Sequence, residues 1–444
     1  MMVGEEFQIV IENLSSQGQG VGHWNGKAVF VSGALPGETV RARLTTNKPK
    51  YIQAKLEQVV QPAAERVVPC CPWFGQCGGC DLQHLDYAEQ LVWKRIWVAE
   101  ALKRIGGITE VEVLPAVGME DPWRYRNRAQ LHLRQWEGEW QLGFFRRGSH
   151  QILPIEDCCL FPALWRDVLA AIRSWLQTTQ PKSLYHIVLG QTGDPQTYFV
   201  LLVAAPEAAP NLRQQVKVLS DRLPPGLLMV ALNLNPDPSR QVLAGQFEIL
   251  SGPPALSETI LGQELQIHPA SFAQVNPRQT EYLYQTALAF ADPGGNRSVL
   301  ELYCGSGVLS VLLARQAGKL IGVDIDAAAI EQAQRNVQQL HISNAGFMAI
   351  DVLEYLRSYP DTFPADGIIV LDPPRRGLPA AVIDELARLQ PQRIVYISCD
   401  PATLARDLKR LLSHGYLVQA VQPVDMFPQT VHVETVVLMS RVEK

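Results

Sequence analysis

The sequence predicts an α/β protein: a doubly wound parallel sheet with an antiparallel last strand, preceded by a small β-barrel and a mixed α+β region. Three observations carry this reading. Beyond residue 265, strand patterns at Val299–Leu302, Leu320–Asp324, Gly346–Ile350, Gly367–Leu371 and Ile394–Ser398 alternate with helical ones, as in a parallel sheet with crossover helices. Residues 1–60 instead alternate apolar and polar side chains between glycines, the pattern of short strands joined by turns. And 444 residues are too many for one hydrophobic core.

The N-terminal alternation runs through Phe7, Ile9 and Ile11, then Val29 and Val31, then Val40, Ala42 and Leu44, broken by Gly18, Gly20, Gly22, Gly26, Gly33 and Gly37. Such strands predict a barrel over 1–60, with Gln61-Pro62 as its boundary. A second region, 61–265, holds a cysteine cluster at 61–90, an amphipathic helix over 91–105 expected to pack on the last region, and then mixed strands and helices. The third, 266–444, is the parallel sheet; Tyr416–Val421 and Val431–Met439 form a hairpin that adds the antiparallel strand.

Hydrophobic content of 47% and charged content of 19% describe an ordinary globular protein. No stretch approaches the length of a membrane span, and the acidic start MMVGEEFQIV is unlike a signal peptide, so a cytosolic location away from membranes is expected. A net charge of −5 argues against a general polyanion binder but leaves room for a local basic face. In a reducing compartment, eight cysteines point to metal ligands or reactive thiols rather than disulfides.

Candidate site residues gather at the strand ends of the last region. Glu301-Leu-Tyr-Cys-Gly305-Ser-Gly307 follows a strand and opens a helix, where glycines allow a tight turn and close ligand approach. No third glycine follows, which disfavours a diphosphate cradle and favours a smaller adenosine ligand. Asp324 ends the next strand, where an acid meets ribose hydroxyls, and Asp351 after the third is placed to accept from an adenine amino group. Capping of the following helices is the alternative use of both. A ribose acid without a phosphate cradle suits S-adenosylmethionine. Leu371-Asp372-Pro373-Pro374-Arg375 ends the fourth strand, its prolines holding Asp372 towards the cleft.

Cys399, in Tyr396-Ile-Ser-Cys-Asp-Pro-Ala-Thr-Leu-Ala-Arg-Asp407, sits where the fifth strand hands over to a helix. Glu434, in Met426-Phe-Pro-Gln-Thr-Val-His-Val-Glu434, lies near the start of the antiparallel strand that begins at Val431 on the same edge, and could face Cys399; a glutamate in an apolar strand is costly unless it is used or paired. A thiol, a carboxylate and a methyl donor suggest one reaction. A thiolate adds to carbon 6 of uracil, carbon 5 takes the methyl group, and a base then removes the carbon-5 proton.

These motifs resemble those of the RNA uracil-5 methyltransferase family, along nearly the whole chain. YISCDPATLARD is similar to the family's nucleophile motif, MFPQTVHVE to its general-base motif and LDPPRRG to its proline-pair motif. The resemblance implies a Rossmann-like methyltransferase sheet with Cys399 as nucleophile and Glu434 as base. SFAQVN, residues 271–276, resembles the family's donor-binding segment and implies that role for Gln274, with Tyr303, Asp324, Asp351 and Asp372 on the other donor positions. Val308 departs from the family's frequent Asn, so a side-chain hydrogen bond there is missing. The front barrel resembles the TRAM-type, OB-like RNA-binding module.

Cys71, Cys77 and Cys80 have the spacing Cys-x5-Cys-x2-Cys, with Cys158 or Cys159 far along the chain. Three close cysteines and a distant fourth are typical of an iron–sulfur cluster, with structural zinc as the alternative. The resemblance to the ribosomal-RNA members implies a [4Fe-4S] cluster and favours Cys158. For RNA, Arg124, Arg126, Arg128, Arg134, Arg146 and Arg147 interleave with Trp123, Tyr125, Trp136, Trp140, Phe144 and Phe145, and WRYRNRAQLHLR alternates like a strand with its arginines on one face. Lys27, Arg41, Arg43, Lys48, Lys50 and Lys55 of the barrel are further candidate phosphate contacts. The target uridine must leave its stack to reach Cys399.

The expected protein is thus a monomeric, S-adenosylmethionine-dependent RNA methyltransferase, with large-subunit ribosomal RNA favoured and tRNA as the alternative. An RNA-binding assembly factor without catalysis is a different class, disfavoured because Cys399, Glu434, Asp372 and Gln274 are all present. Amino-methyl transfer through the Asp-Pro-Pro motif would need no thiol, and the aromatic usual after the prolines is Arg375 here.

Overall fold

The structure, a computed structural model, describes residues 3–239, 241–359, 363–364 and 366–442. Its N-terminal six-stranded sheet runs Glu6–Val10, Thr39–Asn47, Tyr51–Gln61, Lys27–Ser32, Gln19–Trp24, Asn13–Leu14. Thr39–Asn47 buries every second side chain, and the sheet curls around Phe7, Ile9, Val29, Val31, Val40 and Leu44. Gly22 permits the curl: a Cβ there would stand 2.4 Å from the Val10 carbonyl oxygen.

The central sheet has seven strands in the order Gln246–Ser251, Leu227–Leu234, Tyr198–Ala204, Leu184–Gly190, Arg128–Trp136, Glu139–Phe145, Ile152–Pro154. Helices Trp165–Thr179 and Ala209–Ser220 contribute Trp165, Trp175 and Leu212 to a core with Leu131, Ile187 and Leu202 from the strands. The alternation over residues 123–134 predicts one strand, but the strand begins only at Arg128. Arg124 takes a left-handed φ of 54°, and the N–H groups of Arg124, Arg126 and Asn127 go to the carbonyls of Cys159, Leu160 and Val275. Sequence periodicity does not show such distant acceptors.

The C-terminal sheet is the expected doubly wound one. Its order is Ala345–Ala349, Lys319–Asp324, Ser298–Leu302, Ile368–Leu371, Arg393–Ser398, Glu434–Arg441, Tyr416–Val424. The first five strands are parallel, and Glu434–Arg441 inserts antiparallel to both of its neighbours. Ile368–Leu371 is buried along its whole length, as a central strand covered by helices on both faces must be. The last strand starts at Glu434 rather than Val431, because residues 425–431 hydrogen-bond to other parts of the chain.

The helix expected over 91–105 runs Tyr87–Ala101 and passes into a wide turn, Leu102–Gly106. It starts at Tyr87 because the Asp86 carboxylate accepts the Ala88 N–H at 3.0 Å. Val98 and Leu102 join the core of the C-terminal sheet, against helix Pro401–Ser413. Among the described residues no helix is long and apolar enough to cross a membrane.

Candidate active site

The edge formed by the C-terminal ends of the parallel strands carries most of the candidate residues. Tyr303 leaves the first of these strands with a left-handed φ of 63°, and Gly305 and Gly307 also have positive φ. Gly307 admits no side chain, since a Cβ would come within 2.6 Å of the Ala333 Cβ. Asp324 Oδ2 accepts the Gly305 N–H at 2.9 Å and its Oδ1 that of Asp326, so it braces the glycine turn while Asp326 caps the next helix. Asp351 caps its own helix through Leu353 and Glu354 N–H at 2.9 and 3.2 Å. Beneath the turn, Glu301 accepts from the Ser310 hydroxyl, and burial pushes its carboxyl up to about 8.

The Asp-Pro-Pro-Arg loop is fixed from below. Asp407, 1% exposed, accepts the Leu378 N–H at 2.7 Å and the Tyr396 hydroxyl at 2.8 Å, and Thr403 donates to the Arg375 carbonyl at 3.1 Å. Cys399 precedes helix Pro401–Ser413, whose cap Asp400 accepts from Ala402 and Thr403. An N-terminus there favours a thiolate. Ser398 pairs with Thr435 across the antiparallel strands, so one step further brings Cys399 and Glu434 to the same end.

Glu434 is 4% exposed. Burial first, then the charge of Asp372, raises its carboxyl to about 8 against the lowering effect of Arg375. Burial raises Asp372 to about 7. Burial and Glu434 raise the Cys399 thiol to about 11, while the Arg375 guanidinium lowers it by its charge and a hydrogen bond. Arg375 also stands 3.4 Å from the His432 ring. Arg375, which stands in the sequence only as a departure from the aromatic usual after the paired prolines, is here the cation beside the thiol.

The Gln274 loop is held from the central sheet. Arg128 donates to the carbonyls of Ser271, at 2.6 Å, and Pro269, and faces Glu258. Burial lowers Arg128 to about 10 and raises Glu258 to about 7. Arg128, expected to meet RNA, is thus spent inside the protein. Asn276 caps helix Pro277–Ala291 and also donates to the Met426 carbonyl at 3.2 Å. Phe272, two residues before Gln274, is 81% exposed.

Known proteins resemble this chain along its length. The family of tRNA (Uracil-5-)-methyltransferase matches residues 263–442, and the TRAM domain matches residues 1–56. An uncharacterized RNA methyltransferase of Clostridium tetani is 35% identical over 98% of this chain and 96% of its own, and one of Thermosynechococcus vestitus 36% identical over 98% of each. The chain belongs to the tRNA (uracil-5-)-methyltransferase family. A solved structure, the Pyrococcus abyssi tRNA (uracil-54, C5)-methyltransferase in complex with S-adenosyl-L-homocysteine, superposes with a TM-score of 0.75. It is 26% identical and covers 98% of this chain and 100% of its own. The protein is therefore an S-adenosylmethionine-dependent RNA (uracil-5-)-methyltransferase with a Rossmann-like catalytic sheet and a TRAM domain.

In the methyltransferase Cys71, Cys77, Cys80 and Cys158 lie within electrostatic reach of one another. Burial raises the thiols of Cys71, Cys77, Cys80 and Cys158, the last to about 12, and Cys158 feels the charges of Cys71 and Cys77. Cys159 interacts with Cys70 and Cys71. Among the described residues no group of three or more His, Cys, Asp or Glu is spaced to hold a metal ion. Three of the arginines read as RNA contacts staple this loop. Arg124 pairs with Asp157 at 2.7 and 2.8 Å and donates to the Cys158 carbonyl; Arg146 donates to Gln76, and Arg147 to Asp81 and the Cys80 carbonyl. Arg134 remains at the surface, over the exposed Trp136. In the barrel, Arg43 pairs with Glu6 and Glu57, while Lys48, Lys50 and Lys55 are exposed.

Proposed function

We propose that the enzyme methylates carbon 5 of a uridine through a covalent Cys399–uracil adduct. The Cys399 thiolate forms a bond to carbon 6, and the displaced electron pair moves to the enolate of carbons 4 and 5. S-adenosylmethionine, when bound, supplies the methyl group that carbon 5 takes up. The Glu434 carboxylate then removes the carbon-5 proton; the electrons re-form the 5,6 double bond and expel Cys399 as thiolate. Arg375 stabilises the thiolate at both ends of the cycle, while Gln274, Tyr303, Asp324, Asp351 and Asp372 hold the donor. The observation that supports this most is the Ser398–Thr435 register, because it brings a thiol and a buried carboxyl to one sheet end. Cys399→Ala tested for methyl incorporation into RNA from a strain lacking the enzyme decides the point: incorporation equal to wild type excludes the thiol mechanism.

The proposed target is large-subunit ribosomal RNA, in the cytoplasm, bound by a monomer. Residues 1–60 and 61–265 would hold the RNA and 266–444 the donor. A groove of about 850 Å³ beside the Asp-Pro-Pro loop, lined by Arg376, Arg406, Lys409 and Arg410, suits the strand that flanks the target. The cysteine set supports the ribosomal reading, with a [4Fe-4S] cluster on Cys71, Cys77, Cys80 and Cys158. Four thiols with no oxygen or nitrogen donor among them would suit iron–sulfur chemistry. Cys71, Cys77 and Cys80 from one stretch and Cys158 from another would hold the cluster between them. The Pyrococcus neighbour favours a second reading, tRNA. Mapping 5-methyluridine in a deletion strain separates the two, since a signal lost only from tRNA would overturn the first.

A further inference from the structure

Four successive carbonyls of the segment leading into Glu434 are each taken by a different part of the chain. Met426 O accepts from Asn276 Nδ2 at 3.2 Å, Phe427 O from Lys94 Nζ at 3.0 Å and Pro428 O from the Tyr125 hydroxyl at 3.0 Å. Gln429 O accepts the N–H groups of Asp81 and Leu82 at 2.9 and 3.0 Å. These donors come from the helix cap behind the Gln274 loop, from helix Tyr87–Ala101, from the stretch before the central sheet and from the chain leaving Cys80. At the head of the segment, Asp425 and Lys94 form an ion pair 2.5 Å apart with both side chains 0% exposed, and the Tyr87 hydroxyl donates to Asp425 at 2.8 Å. Gln90 donates to the Gln429 side chain at 3.0 Å and accepts its backbone N–H at 3.1 Å.

This is more than a connection between neighbouring antiparallel strands requires, since such strands are commonly joined by two to five residues. A fully buried ion pair is also a poor stabiliser: well-packed apolar residues often serve as well or better. What it can do is select one conformation of the segment it holds. We propose that these donors form a clamp that positions the Glu434 carboxylate, with Lys94 as its central positioning residue, and that the clamp acts on proton abstraction from carbon 5. The inference rests on the assignment of Glu434 as base.

Two variants test it. Lys94→Met/Asp425→Asn removes both buried charges together and keeps an acceptor for Tyr87, while Tyr125→Phe deletes one donor with little change of shape. Each full-length enzyme is mixed with S-adenosylmethionine and total RNA from a strain lacking the enzyme, quenched in SDS, and the RNA-linked protein is followed with time. Glu434→Gln is the reference and holds the linked species. The double variant is expected to prolong that species by roughly 100-fold, the scale of a misplacement of about 1 Å, and Tyr125→Phe by less. In both, the pH profile of release shifts while KM for S-adenosylmethionine stays at the wild-type value. A lower Tm with wild-type lifetime and pH profile means a structural role only, and overturns the clamp. If Glu434→Gln itself holds no linked species, the base assignment fails and takes the clamp's role with it.

Discussion

Replacing Glu434 by Gln should make the protein more stable while removing the proposed proton-abstracting group. Burial and Asp372 raise the Glu434 carboxyl from an ordinary 4.5 to about 8. The folded state therefore holds a proton that the unfolded chain releases, and wild-type stability falls as pH rises from about 4.5 to about 8. At roughly 1.4 kcal/mol per pH unit, this group's penalty is about 1 kcal/mol at pH 5, about 3 kcal/mol at pH 7, and level above pH 8. Gln fills the same space without that penalty. Thermal unfolding of wild type and variant across this range, at fixed ionic strength, tests the argument. The Tm gap should be small at pH 5 and widen to several degrees at pH 7, with about 2–4 °C per kcal/mol for a domain of this size. A gap that does not change with pH would refute the buried, proton-holding carboxyl.

Arg375→Ala should raise the Cys399 thiol above its present value of about 11 and cut adduct formation at neutral pH, with partial recovery in alkaline buffer; Arg375→Lys should retain more activity. Single-turnover rates against pH check both. Arg128→Met should raise KM for S-adenosylmethionine with a smaller change in kcat, because it frees the Ser271 and Pro269 carbonyls of the Gln274 loop. Arg376→Glu/Lys409→Glu should weaken RNA binding, since both residues line the groove beside the Asp-Pro-Pro loop, and should lower the salt slope of log K by about 1.4 if each residue neutralises one single-strand phosphate. Isothermal binding at several salt concentrations gives both quantities. Replacing Cys71, Cys77 or Cys80 by Ser should lower the iron-to-protein ratio of anaerobically purified enzyme, and a flat visible spectrum for wild type would remove the cluster.

The doubly wound sheet was legible because each buried parallel strand is a short apolar run ending in a polar residue at the cleft, as at Asp324, Asp372 and Cys399. The barrel was legible from alternation alone. Chemistry also fixes residue type at a strand end, so the thiol, the acid and the glycine turn could be found in one dimension. The arginines of residues 124–147 could not be sorted this way. Arg128 and Arg134 lie on the same strand, yet one is spent on buried carbonyls and the other stays at the surface. Their acceptors lie far along the chain, and any carbonyl can accept.

The same limit hid the Lys94–Asp425 pair, whose partners are 331 residues apart. Its local signs were nevertheless present: a lysine inside the helix sequence YAEQLVWKRIWVAEA, and an aspartate between Val424 and Met426. A charge in an apolar setting is costly unless something meets it. That argument singled out Glu434 from its strand, and it applied equally to Lys94 and Asp425. Asp86 and Glu89 likewise carry the side chains of a helix start, which would have moved the predicted helix to Tyr87. Candidate site groups such as Cys399 and Glu434 stand out at their own positions, whereas buried partners such as Lys94 and Asp425 become readable only when two such local costs, one on each side of the fold, are seen to cancel.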